Sequence, residues 1–203
     1  MGFVVTGGND EYEKPSAGSV AARCYGIIDL GTQHGEYAGE KYTKHEVMIL
    51  WELDEKMTDG KPFVVNKRYT ASLNEKANLR KDLESWRSRA FTDEELAGFD
   101  LSTIIEKPCM LTITLTEKGY AKVVGVSPLP KGLNAPELQN ETINFTIDQL
   151  GDNDVVSKIY PWVQKIIAES DEGKAFGFVA QEKSGSTFTE QPSTATEGDD
   201  VPF

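Results

Sequence analysis

The chain has 203 residues, 38% apolar and 27% charged, which suffices for one domain with a core plus appendages. Its formal net charge of −12 argues against a protein that coats polyanions by bulk attraction, unless positive charge is gathered in one place. The lack of any apolar run approaching about 18 residues argues against a membrane-spanning helix, and two distant cysteines, Cys24 and Cys109, with no CxxC spacing argue against a thiol redox pair or a cysteine-based zinc site.

Residues 1–18, with Gly7-Gly8-Asn9-Asp10 and little periodicity, read as an N-terminal arm. Ser19–Leu30 is rich in β-formers, the glycine-bearing stretch Gly31–Gly39 reads as a turn, and Lys41–Leu53 reads as a second strand paired with the first. Asp59-Gly60 marks another turn before a third strand at Pro62–Thr70.

Then the period changes. Ser72-Leu73-Asn74-Glu75 has the form of a capping box opening a helix, on which Leu79, Leu83, Trp86 and Ala90 share one face. Thr92-Asp93-Glu94-Glu95 repeats the capping pattern for a short helix ended by Gly98. Two further strands, Pro108–Thr116 and Tyr120–Val126, are joined by the tight turn Glu117-Lys118-Gly119. Beyond them Ile143–Ile147 suggests one more strand, and Val156–Ala168 an amphipathic helix with Pro161 at its first turn or at a kink.

The order strand, strand, strand, helix, strand, strand predicts a mainly β chain built on an OB-fold, a five-stranded Greek-key barrel with its helix between strands 3 and 4. The barrel is expected over residues 19–132, an extension with the amphipathic helix over 133–180, and a disordered acidic tail over 181–203, where Ser, Thr, Gly, Gln and Glu prevail.

Charge along the chain is uneven. Between Lys61 and Ala90 eight bases face three acids, whereas from Glu169 onward two bases face eight acids. A basic segment within an acidic chain is the footprint of a phosphate-binding surface, with Lys67, Arg68, Lys76, Arg80, Arg87 and Arg89 as candidate phosphate contacts and Lys122 beyond them. Unstacked bases want aromatic faces, for which Tyr25, Tyr42, Trp51, Tyr69 and Tyr120 are candidates. Alternation on the third strand puts Val65, Lys67 and Tyr69 on one face and Arg68 on the other, and the first of these is expected to bind. Trp51 sits in Val47–Leu53, where neighbours are apolar on both parities, so core packing competes with base stacking there, and Trp86 reads as core.

The last residues, Asp199, Asp200, Val201, Pro202 and Phe203, combine carboxylates with an apolar pair ending in an aromatic, a segment suited to capture by a partner with an apolar slot and cationic rim. This ending resembles the acidic tip of bacterial single-stranded DNA-binding proteins, with one Asp fewer and Val201 in place of Ile. Residues 15–132 add a second likeness: Gly-Ser-Val-Ala-Ala-Arg-Cys-Tyr-Gly-Ile-Ile-Asp-Leu-Gly-Thr-Gln at 18–33, Lys-Pro-Cys-Met-Leu-Thr-Ile at 107–113 and Val-Ser-Pro-Leu-Pro-Lys-Gly at 126–132 resemble OB-type single-stranded DNA-binding proteins of tailed-bacteriophage replication modules. The resemblance implies sequence-independent binding of single-stranded DNA in the bacterial host cytoplasm, with replication or recombination proteins recruited through the tail. It implies no cofactor and no membrane partner, and leaves room for a homodimer through an edge strand or the Val156–Ala168 helix.

Two other classes compete. A metal-dependent nuclease would need carboxylates around Mg²⁺, but the acids fall mainly in turns and helix first turns, and His34 and His45 are loosely placed for catalysis. A protein-protein adaptor built on the same barrel needs no nucleic acid, and the basic segment weighs mildly against it.

Overall fold

The computed structural model describes residues 13–181 and shows a mainly β chain. In order come β1 (Gly18–Tyr37), β2 (Glu40–Lys56), β3 (Pro62–Thr70), α1 (Asn78–Arg87), α2 (Asp93–Ala97), β4 (Pro108–Leu115), β5 (Ala121–Ser127), β6 (Ile143–Phe145), α3 (Asn153–Val156), α4 (Pro161–Glu169) and α5 (Asp171–Phe176). The hydrogen-bonded path through the sheet is β3-β2-β1-β4-β5, and the short β6 adds to β1. All pairs on the path are antiparallel, while β6 lies parallel to β1 with Ile27 opposite Asn144. The two ends of the path, β3 and β5, approach one another, and α1 packs against both.

The sheet has two buried sides. Ala22, Cys24, Ile49, Trp51, Val65 and Leu111 point to one side, where Leu79, Leu83 and Trp86 of α1 close the core. Tyr25, Ile28, Leu30, Met48 and Leu50 point to the other, against Ile143 and Phe145 of β6 and Val163 and Ile167 of α4. The unbroken apolar run of β2 follows from this: every residue from Glu46 to Leu53 is buried, because one parity faces each core. Segment 133–181 is therefore a second layer on the outer side of β1 and β2.

The stretch expected to be a turn at Gly31–Gly39 is mostly strand. Pairing runs on to Tyr37 opposite Glu40, and the turn shrinks to Ala38 and Gly39, both at positive φ (51° and 85°), the twist that two-residue hairpins prefer. Gly31 serves a different purpose. It sits at a bulge with φ +71°, and a Cβ there would stand 2.7 Å from Glu172 Oε2 and 2.8 Å from Ser170 Oγ, so only glycine lets α5 come so close.

The first capping box does not form. Ser72 Oγ accepts from Asn74 N at 3.2 Å in a local turn, and α1 starts later, with Ala77 as an N-cap lacking a side-chain bond. The Leu79, Leu83 and Trp86 face is buried as expected, but Ala90 lies beyond the helix and is exposed. The second box is present: Thr92 Oγ1 accepts from Glu95 N, and Glu95 accepts from Thr92 N at 3.0 Å. Thr92→Ala should cost about 1 kcal/mol of unfolding free energy, read from the shift in urea midpoint at constant m-value. The expected C-terminal helix is split, with Pro161 at the first turn of α4.

Two polar devices fasten the second layer. The buried Glu52 carboxylate on β2 accepts from Gln139 N (2.9 Å), Asn140 N (2.6 Å) and Asn140 Nδ2 (2.7 Å). Buried Gln164 donates to the carbonyls of Val156 (3.1 Å) and Ile159 (2.9 Å) and accepts from Gln181 N (2.8 Å), satisfying the irregular backbone between α3 and α4. Among the described residues no helix is long and apolar enough to cross a membrane.

Candidate nucleic-acid interface

The expected binding face of β3 points inward. Strand alternation does put Val65, Lys67 and Tyr69 on one side, but that side faces α1: Tyr69 is buried, its hydroxyl donates to Asp82 Oδ2 (2.8 Å), and Lys67 Nζ reaches the same oxygen (2.8 Å). Burial, and then the Asp82 charge, push the Tyr69 hydroxyl well above the ordinary tyrosine range. Lys67 also lies 5.1 Å from the Tyr69 ring centroid, so both groups are spent inside the fold.

The remaining members of the basic segment are largely neutralised. On the outer side of β3, Arg68 donates to Glu46, which is itself buried on β2. On α1, Arg80 pairs with Glu84 (2.9 Å) and donates to Leu73 O (3.2 Å). The Arg80 bond and the Phe91 amide hold the Glu84 carboxyl below the usual carboxylate range. Arg87 pairs with Glu95 and stacks on two rings, 4.4 Å from Phe91 and 4.9 Å from Phe99. Arg89 grips Glu95 through both terminal nitrogens (2.9 and 2.7 Å). With Arg89 as the main cause, the Glu95 carboxyl is lowered to about 2, so it stays charged at any pH where the fold operates. Within the segment Lys76 and Lys81 are exposed and carry no ion pair among the described residues.

Besides Tyr69, two more of the candidate stackers are core. Trp51 is fully buried, its ring centroid 6.2 Å from that of Trp86, and Tyr25 is buried under the second layer with its hydroxyl 3.1 Å from that of Tyr160. Neither can reach a base. Their physical reason is the same: β1 and β2 are covered on both sides, so no aromatic in their middle is left for solvent. Tyr42 is half-buried, its ring laid across Gly35 on the neighbouring strand and Lys44 5.0 Å above it. The cysteines lie in the core as free thiols, and burial pushes Cys24 up to about 12 and Cys109 higher than its ordinary value.

What stays available is at the β4–β5 hairpin. Lys122 is exposed on β5 and Tyr120 half-buried beside the turn, where its N–H donates to Thr116 Oγ1 (3.0 Å). Lys118 is exposed in the same turn, and Lys14 lies over the turn, so close that a Cβ at Gly119 would collide with Lys14 Nζ. The partner-binding candidates Asp199, Asp200, Val201, Pro202 and Phe203 lie outside the described residues. Among the described residues no group of three or more His, Cys, Asp or Glu side chains converges to hold a metal ion.

No family model matches this chain, and no curated protein matches it.

Proposed function

We propose that this is an OB-type, sequence-independent single-stranded DNA-binding protein of a phage replication or recombination module, acting in the host cytoplasm and recruiting partner enzymes through its acidic C-terminal residues. The observation that carries the reading is the strand path β3-β2-β1-β4-β5 with α1 inserted after the third strand and β3 approaching β5. This is the connectivity an OB barrel requires, and such barrels bind single strands in many proteins. The likeness of residues 15–132 to phage proteins of this type, and of residues 197–203 to a bacterial acidic tip, supports the same reading.

The pairing of Lys67, Arg68, Arg80, Arg87 and Arg89 with carboxylates favours a second reading, a protein-protein adaptor without nucleic acid. Titrating labelled oligo-dT at two salt concentrations separates them. The DNA-binding reading expects affinity at low salt that falls as salt rises, with a log-log slope of about −0.7 per phosphate contacted. No binding at low ionic strength would leave the adaptor. Deleting residues 197–203 should leave oligo-dT affinity equal or tighter while abolishing capture of replication proteins.

A further inference from the structure

Resting on the reading just given, we infer that the strand is gripped on the outer face of β1, β4 and β5, and not on the β2–β3 side where the basic segment lies. The outer side of β2 is closed by the second layer, and the inner side of the whole sheet is filled by core. Two sheet surfaces remain open, and on the distal β1–β2 ribbon exposed Lys41 stands opposite Glu36 and beside Glu40 while His34 is bonded to Asp171. On the other, Ser19 on β1, Thr112 and Thr114 on β4, and Lys122 and Val124 on β5 are all exposed, Val124 by 46%. Register makes them one patch, with Ser19 opposite Thr112, Thr112 opposite Gly125, and Thr114 opposite Lys122.

Charge selects a polyanion for this patch. The outward positions of these three strands include Arg23 and Lys122 and no acid, in a chain with 33 acidic residues against 21 basic ones. Arg23 makes one described bond, Nη1 to Glu106 O at 3.2 Å, and its Nε has no partner. The carboxylate across the sheet from Arg23, Glu52, is spent on the amides of Gln139 and Asn140. Lys107 lies beside Arg23, and Lys118 and Lys14 lie beside Lys122; with the exposed Glu106, Glu117 and Glu13 next to them, the patch and its flanks hold five bases against three acids. Along β4 the two ends of the patch stand on the order of 20 Å apart, joined by small residues over which a sugar-phosphate chain can lie flat. The floor has no exposed aromatic; half-buried Met110 lies within it between Ala21 and Ser127, and half-buried Tyr120 stands at its margin, so binding here is mainly to phosphates and indifferent to base sequence.

The test uses the full chain, fluorescein-labelled oligo-dT and a salt titration. Lys122→Ala should reduce the magnitude of the log-log salt slope by about 0.7, one phosphate contact, and Thr112→Glu, which plants a carboxylate mid-floor at an exposed position, should weaken affinity at least tenfold. Both should melt like the parent, because neither side chain is packed. Lys76→Ala and Lys81→Ala should leave affinity and slope unchanged. If the parent binds oligo-dT and Thr112→Glu and Lys122→Ala bind equally well, this face is refuted while DNA binding stands. If the parent does not bind at all, the broader reading falls as well. Should Thr112→Glu instead turn a dimer into a monomer by sedimentation with oligo-dT affinity intact, the face joins two copies of the chain and the inference is overturned.

Discussion

Trp51→Ala is expected to lower the free energy of unfolding by about 3–5 kcal/mol, the range for emptying a large aromatic site in a packed core. Against a total of about 5–15 kcal/mol for an ordinary domain, that removes much of the stability. The indole is fully buried between the sheet and α1, in contact range of Trp86, so nothing can collapse into the space without moving β2. The two tryptophans differ in one respect that makes the expectation sharper. Trp86 Nε1 donates to Pro108 O at 2.8 Å, whereas Trp51 Nε1 is buried with no partner. Trp51→Phe therefore discards an unsatisfied donor along with some volume and should cost little, while Trp86→Phe strands the Pro108 carbonyl and should cost about 1–3 kcal/mol. Guanidinium unfolding of the three variants measures this. Oligo-dT affinity of folded Trp51→Phe should equal that of the parent, and a tenfold loss at unchanged stability would put the indole on DNA after all.

Glu52→Ala is the second large effect, at about 2–3 kcal/mol, the upper range for hydrogen bonds to a charged group. A buried carboxylate is tolerated only where donors surround it, and here two backbone amides and one side-chain amide do so. Removing it relieves the cost of a buried charge but frees the 139–140 backbone from β2. The discriminating variant is Glu52→Gln, which keeps the shape and turns one acceptor into a donor facing donors; it should be no better than alanine. Hydrogen exchange would locate the loss, with faster exchange at Gln139 and Asn140 and unchanged protection in β4. Equal protection everywhere would show that the carboxylate is not what fastens the second layer.

The strands were legible because each carries its own local signal. Pro62–Thr70 coincides with its predicted span, β4 starts at Pro108 as predicted and ends one residue early, and β5 lies one residue later than predicted. The β1–β2 turn is shorter than the sequence suggests, because glycines at 31 and 35 carry the pattern of a loop without forming one. In the fold, one admits α5 and the other lies under the Tyr42 ring. The double-sided apolar run at Val47–Leu53 was visible and carried the answer for Trp51, since a strand buried on both parities needs a layer on each side. Charge misled most. A count within a contiguous window sees Asp82 and Glu84 but not Glu46 and Glu95, which reach in from a neighbouring strand and the next helix to pair with Arg68, Arg87 and Arg89. The open floor on β4 had a faint signal in the polar alternation of Thr112 and Thr114, overshadowed by the denser basic segment.

The packing of β6 and α4 onto β1 and β2 sets where this protein can be cut. A chain shortened to end near Gly132 would not be a minimal version of the molecule. It would present Tyr25, Ile28, Met48 and Leu50 to water as a bare greasy plate and leave the Glu52 charge without its amides. Such a fragment would clump before it could be assayed, so deletion mapping of this chain must begin beyond Gln181, where Gln164 has received its last bond.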